Sequence, residues 1–335
     1  MPLTRNRAQI SHQTVLGKLV QIYLAALDPG VSASAIVDQN IYLDGGYQQT
    51  VTVATAAAGV YSLTVNGVVI GSYTAGAGDT VAIIRNALLA SVKLNTPTTG
   101  IFAGKPTTGA FVLLSGQTFT AASTGATPAN MTLGATALVT NTTAKGATSV
   151  TLFEPLLGPV YAGQYLCFAD SNDVEKSAKV TVSAAIGATT LTVRALDEAI
   201  TAGSGAEFPT YLWDRTDASL DETFATVQTV TFNTGGAQLQ TPTTIDRKIT
   251  LPGIKWHYNA AFRTAAEQAD LQKFIYVKRL EPAPNPSFIT GDSIVGIGVV
   301  TSNKQAGQAN APISGDLEIS FSGAVIKAVP VPVTP

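Results

Sequence analysis

Apolar and polar residues alternate with a period of two along much of this chain, in short runs separated by Gly, Pro, Asn and Asp. Alternation of that kind is the mark of strands with one buried face. Tyr61, Leu63 and Val65 alternate with Ser62 and Thr64. Asn66-Gly67 then leads into Val68–Tyr73, which predicts a tight hairpin. After Asp79 the period lengthens: Val81, Ile84, Leu88 and Val92 fall on one face of a helix that runs to about Leu94, with Asp79 as its cap. Strands are expected again at Phe111–Leu114 and near Gln117–Ala121, followed by a Thr/Gly/Ala-rich linker around Ser123–Ala129.

Before this unit, residues 1–48 comprise a polar arm and a first element. Leu16, Val20, Tyr23, Leu24 and Leu27 have helical spacing, alternation over Lys18–Tyr23 also allows a strand, and Asp28-Pro29-Gly30 ends the element. At the other end, residues 213–330 predict an alternating strand Thr223–Phe232 with Phe224, Val230 and Phe232 on one face. Gly235-Gly236 turns it into a second strand, Thr244–Leu251. Thr264-Ala265-Ala266-Glu267 reads as a capping box opening a helix to about Phe274. Ile275–Leu280, a loop at Pro282–Pro286, and strands within Ser293–Thr301 and Asp316–Lys327 follow, and the proline-rich end VPVPVTP is unsuited to a sheet centre. The chain is therefore expected to be mainly β with about two helices.

Between these regions, residues 141–212 contain a duplication. GATSVTLFEPLLGPVYAGQYLCF from Gly146 returns as GATTLTVRALDEAITAGSGAEF from Gly187. Val150, Leu152, Leu156, Val160 and Phe168 correspond to Leu191, Val193, Leu196, Ile200 and Phe208, with one extra residue ahead of Leu156. Each copy reads as a strand, a loop ending in Ala-Gly and a second strand, too little to hold a core alone. Val150, Leu152, Val180 and Val182 are expected to face inward.

The organisation is thus four segments: 1–48 with the arm and first element, a compact hairpin and helix module at 49–138, the duplicated module at 141–212, and a β-rich segment at 213–330. Charged residues make up 13% of the 335 and the net charge is −2. That is about half the usual globular share of roughly 25%. The surface is consequently hydroxyl, backbone and methyl, poorly protected against self-association. Without a long basic cluster, phosphate-driven nucleic-acid binding is not expected. The opening MPLTRNRAQISHQ lacks the apolar core of a secretory signal, and Lys18 and Gln21 interrupt Val15–Leu27, so neither a leader nor a membrane insertion is expected. One cysteine, Cys167, fits synthesis in a reducing cytoplasm and a packed thiol.

Each candidate catalytic constellation lacks a member its chemistry requires. The two histidines, His12 and His257, are far apart; the first reads as a solvated arm residue and the second as a strand-end or interface residue. Gly291-Asp292-Ser293 has no histidine downstream to act as base. Gly100 to Lys105 is one residue short of a phosphate loop and is followed by Pro106 where Ser or Thr would hold magnesium. Asp170, Asn172, Asp173 and Glu175 could supply oxygen ligands to calcium, but the same residues suit a solvated turn. Asp221-Glu222 and Asp197-Glu198 are adjacent pairs whose members point to opposite strand faces. Trp213 and Trp256 are too few for a sugar-binding platform. No catalytic residue, metal or cofactor is expected.

On two pieces the chain resembles the major tail tube proteins of long-tailed bacteriophages. VYSLTVNGVVIGSYTAGAGDTVAIIRNALLASV, from Val60, looks like a hairpin-plus-helix module of phage tail proteins. The last third looks tube-like in its long strand at Thr223–Phe232, the ITLPG turn at Ile249–Gly253, the helix after Arg263 and the terminal strands. The resemblance implies a tail-tube-like β-sandwich with one flanking helix, plus an inserted β-rich module with one helix. It further implies a structural virion protein, made in the host cytoplasm, that polymerises as stacked hexameric rings into the tail tube. DNA would pass through the lumen without specific binding, and the partners would be the chain itself and other tail proteins. Phe224, Val230, Phe232, Ile245 and Ile249 are the candidate inter-subunit residues, chosen by strand alternation; the same alternation would let them fill the subunit's own core. Two other readings stand beside this one: a fibre, receptor-binding or capsid-decoration protein, and a sheath-related tail protein.

Overall fold

The computed structural model describes residues 20–125, 130–141, 143–169, 174–212, 218–230, 238–255, 259–281, 292–306, 314–323 and 325–329. The fold is mainly β. It has two compact units, one from residues 38–159 and 166–208, the other from 20–37, 160–165 and the described residues after 208.

In the first unit, Gly59–Val65 and Val68–Ala75 form the expected hairpin. Asn66 and Gly67 both take positive φ, 51° and 82°, the backbone that a two-residue turn between twisted strands requires. The helix Val81–Thr99 follows. Ile84, Leu88 and Val92 are fully buried against Tyr61, Leu63, Val51, Phe111 and Leu113; each such side chain contributes about 1.5–3 kcal/mol. The cap is Thr80, whose hydroxyl accepts from the Ile83 amide at 3.3 Å. Asp79, expected in that role, instead accepts from the Gly76 amide and the Tyr73 hydroxyl, both at 2.8 Å. The helix passes Leu94 and ends on left-handed Gly100.

Strands Gln39–Tyr42, Gly46–Val53, Phe102–Gly104, Ala110–Ser115, Met131–Leu133 and Ala137–Val139 complete this region. Gly46–Val53 is the hub, pairing with Ala110–Ser115, Met131–Leu133 and Ala137–Val139. The strand foreseen near Gln117–Ala121 lies instead at Ala121–Thr124, where it pairs with Gly59–Val65. Part of the supposed linker is therefore sheet, because the small residues fit beside a hairpin edge. In the duplicated region, Ser149–Thr151 pairs antiparallel with Thr190–Thr192. Val150, Leu152 and Val180 are buried, but Val182 is exposed at 57%; it follows the bridge Val180↔Val193, where the strand has already ended.

The second unit is an eight-stranded antiparallel sheet. Its order is Thr210–Tyr211, Gln21–Ala26, Ile275–Leu280, Ser293–Ala306, Ser314–Phe321, Gln238–Lys255, Ser219–Val230, with Ile326–Ala328 also beside Ser293–Ala306. Gln21–Ala26 is thus a strand, not the helix its spacing suggested. Neighbours on both sides override a weak helical pattern of five positions. The helix Ala260–Asp270 lays Ala261, Phe262 and Ala265 on Ile22, Leu24, Ile249, Leu251, Ile275, Val277, Leu317 and Ile319. Its cap is Asn259, which accepts from the Phe262 amide at 3.1 Å. Thr264, expected as the cap, is one turn inside: its hydroxyl donates to the Ala260 carbonyl and accepts from the Tyr165 amide, both at 2.9 Å. The box pattern misled because a buried Thr inside a helix can satisfy its hydroxyl on the preceding turn.

Candidate inter-subunit surface

The longest hairpin in the described chain joins Ser219–Val230 to Gln238–Lys255. Its register pairs Leu220 with Ile249, Glu222 with Arg247 and Phe224 with Ile245, and Ile249, Arg247 and Ile245 follow one another at two-residue steps on one face of their strand. That is the face the helix Ala260–Asp270 covers, since Ile249 and Leu251 on it are fully buried. Moving outward, the environment changes at each step of two residues. Ile249 belongs to the core of its own unit. Arg247 Nε lies 2.7 Å from Glu222 Oε1, and Lys327 Nζ lies 3.1 Å from the same oxygen. Ile245 comes next and is 45% exposed.

Two cations on one carboxylate make a polar collar between a buried apolar row and an exposed apolar position. The hydrogen bond from Arg247, then that from Lys327, holds the Glu222 carboxyl below the usual carboxylate range. On the opposite face Lys248 Nζ meets Glu318 Oε2 at 2.7 Å. Ser219–Val230 closes the sheet, with no partner on its outer side among the described residues. An open edge beside an exposed isoleucine can accept another strand or another subunit's side chains.

Among the five residues singled out by alternation, Ile249 is in the unit's core and Ile245 at its surface. Phe224 and Val230 lie on the edge strand, with side chains outside the described part, and Phe232 lies outside the described residues. Arg247 and Lys327 were not foreseen as Glu222's partners: the hairpin register sets Arg247 opposite Glu222, and Lys327 reaches the same carboxylate from the strand Ile326–Ala328.

The other candidates are dispersed. Cys167 is buried on the strand Tyr165–Ala169. Glu175 is buried on Glu175–Lys179, while Asp170, Asn172 and Asp173 lie outside the described residues, as do His12, His257, Trp213 and Trp256. Asp197 Oδ1 is 3.5 Å from Arg194 Nη2, and Glu198 pairs with Lys176. Gly100 caps a helix and Phe102–Gly104 is a strand rather than a phosphate loop; Lys105 Nζ binds Asp44 Oδ1 at 2.7 Å. Ser293 opens the strand Ser293–Ala306. Among the described residues, no group of three His, Cys, Asp or Glu side chains could hold a metal ion, and no helix is long and apolar enough to cross a membrane.

The chain is similar to a chain in the virion of a native gene transfer agent particle, at 15% identity and a TM-score of 0.30, over 35% of this chain and 87% of that one. It is also similar to a chain in the tail of an empty gene transfer agent particle, determined by helical refinement with C6 symmetry, at 16% identity and a TM-score of 0.29, over 35% of this chain and 84% of that one. No protein-family model and no curated protein matches it.

Proposed function

We propose that this chain is a structural virion subunit that polymerises, ring upon ring, into the tube of a phage tail, a conduit for DNA. The observation that carries the reading is the long edge strand Ser219–Val230, open on its outer side among the described residues and flanked by exposed Ile245. Edges of this length are normally shortened, charged or covered, because they template association. Pairing them between subunits removes the edge, and a heterologous contact repeated along an axis gives a filament. The sparse charge of the chain, 13% of residues, favours the same outcome. In this reading Ile245 and the Phe224 position opposite it meet the neighbouring subunit, and Ile249 supports them from within.

The test is negative-stain electron microscopy across a concentration series, with mass in solution, on the wild type and on Ile245→Lys. Rings or hollow tubes that grow with concentration are expected for the wild type. They should be lost in Ile245→Lys while its melting temperature is unchanged. A wild type that stays a monomer or trimer at every concentration overturns the reading. Ring mass gives the number of subunits, expected to be six.

A further inference from the structure

The hydrogen bonds around the duplicated region are themselves duplicated. Leu152 N donates to Thr189 O and Val193 N to Thr148 O, both at 2.8 Å. Leu156 N donates to Ala188 O and Leu196 N to Ala147 O, both at 3.0 Å. Gly187 N donates to Leu156 O and Gly146 N to Leu196 O, both at 2.8 Å. In each case the second bond joins the residues equivalent to those of the first, with the copies exchanged. The two copies are therefore related by a local two-fold relationship, in which each completes the other.

The equivalence extends upstream of the part visible as repeated sequence. Leu43 bridges Leu152, and Val180 bridges Val193. Phe153 N donates to Tyr42 O at 2.8 Å, and Arg194 N to Lys179 O at 2.7 Å. Asp44 N donates to Thr151 O at 2.9 Å, and Thr181 N to Thr192 O at 3.0 Å. Tyr42, Leu43 and Asp44 thus stand where Lys179, Val180 and Thr181 stand in the second copy. The strand Gln39–Tyr42 pairs with Gly205–Phe208, as Glu175–Lys179 pairs with Tyr165–Ala169. Each copy lends its last strand to one of these pairs.

After Thr181 the second copy reaches its next strand through a short turn, Ala188 N donating to Ala185 O at 3.1 Å. The first copy makes the same turn, Ala147 N donating to Ala144 O at 3.1 Å. Counting back from these turns, residues 45–142 occupy the place that Val182 and Ser183 fill in the second copy. We infer that residues 45–142 are an insertion into the first of two equivalent three-strand units, 38–44 with 143–169 and 174–208, and that the paired units are complete without it.

The residues beneath the insertion differ between copies in the way this requires. In the first copy Phe153 is buried against Phe102 and Leu114, Tyr42 stacks on Phe102 with ring centroids 3.8 Å apart, and Glu154 Oε2 binds Lys93 Nζ at 2.9 Å. Phe102, Leu114 and Lys93 all belong to the insertion. The second copy, which carries no insertion, has Arg194, Lys179 and Ala195 in place of Phe153, Tyr42 and Glu154. Arg194 is 59% exposed. The aromatic and acidic residues of the first copy are thus a docking surface for the inserted module, and the second copy keeps polar or small residues in the corresponding positions.

This inference rests on the fold alone and stands whether or not the chain polymerises. The experiment is an excision variant of the full chain in which 45–142 is replaced by Val-Ser, with Tyr42→Lys, Phe153→Arg and Glu154→Ala to remove the docking surface. It should melt cooperatively and retain slow hydrogen exchange at the Leu152 and Val193 amides. Native-state exchange on full-length Leu88→Ala gives a second readout that needs no excision. Exchange inside 46–141 should accelerate about thirtyfold or more, with Leu152 and Val193 unchanged. If the excised chain fails to fold and Leu88→Ala accelerates Leu152 and Val193 by the same factor as the module, the inference is overturned. Acceleration confined to the module sustains it even if the excised chain is insoluble.

Discussion

Val150 and Leu191 hold the same place in the two copies of the repeat, and across the antiparallel pair they are each other's Cα partner. Both are buried, at 1% and 0% exposure. A residue that faces its own counterpart contributes to both copies at once. Leu191→Ala should therefore cost about 2–5 kcal/mol. Val150→Ala combined with it should depart from additivity by about 0.5–3 kcal/mol, because the two share one contact. A double-mutant cycle in urea reads this directly; strict additivity would place the two side chains in independent environments.

Two loop glycines with nearly the same φ separate conformational strain from crowding. Gly146 has φ +86° and open space where a Cβ would be; Gly163 has φ +92°, and a Cβ there would meet the side-chain amide of Gln268. Gly146→Ala should cost about 1–2 kcal/mol, the penalty for left-handed backbone alone. Gly163→Ala should cost clearly more, since Gln268 is fully buried and has little room to move. Thermal unfolding of the pair tests the difference.

The acid limb of the stability profile should depend on Asp44. Burial pushes its carboxyl upward, but the hydrogen bonds from Lys105 and then Gln48 outweigh that and hold it below the ordinary value. A depressed folded value means its stabilisation is complete above the unfolded carboxylate pKa, about 3.9, and is lost as pH falls through the lower folded value. Asp44→Asn should thus lower the melting temperature at pH 7 and flatten its fall between pH 5 and pH 2. An acid limb as steep as the wild type's would remove Asp44 from the account.

Ile245 and Ile249 sit four residues apart on one strand face yet should respond oppositely. Ile249→Ala empties a fully buried position and should cost about 2–5 kcal/mol of unit stability. Ile245→Ala, at 45% exposure, should change the urea midpoint little and act on association instead. Equal losses of stability would mean that Ile245 serves the unit's own core.

The cap of the second helix is also open to test. Asn259→Ala should cost about 1 kcal/mol through the lost bond to the Phe262 amide. Thr264→Val keeps the shape but removes the acceptor of the Tyr165 amide, which should cost about 1–3 kcal/mol. Chemical denaturation of the two variants distinguishes a cap from a buried tie.

Much of the secondary structure was legible because its causes are local. Alternation at Tyr61, Leu63 and Val65, the Asn66-Gly67 turn and the spacing of Ile84, Leu88 and Val92 act over a few residues, and the structure contains the hairpin and the helix they predict. The duplication was legible in residue identities from Gly146 onward. Cap residues were less so: Asp79 beside Thr80, and Thr264 after Asn259, are chemically alike, and only the direction of each side chain separates a cap from its neighbour. Gln21–Ala26 has a pattern compatible with either period, and strand partners decided it.

By itself, then, the sequence determined the β-rich class, the tight turns, the helical faces, the sparse charge and the presence of two related modules. Only the tertiary structure decided that Ile249 is core while Ile245 is surface, and that Arg247 and Lys327 share Glu222. It alone set Tyr42, Leu43 and Asp44 against the first copy in the places that Lys179, Val180 and Thr181 hold in the second. The reason is physical. Periodicity and turn chemistry are written in neighbouring residues, whereas strand register, sheet edges and a split repeat depend on pairings between residues far apart, which no local pattern encodes.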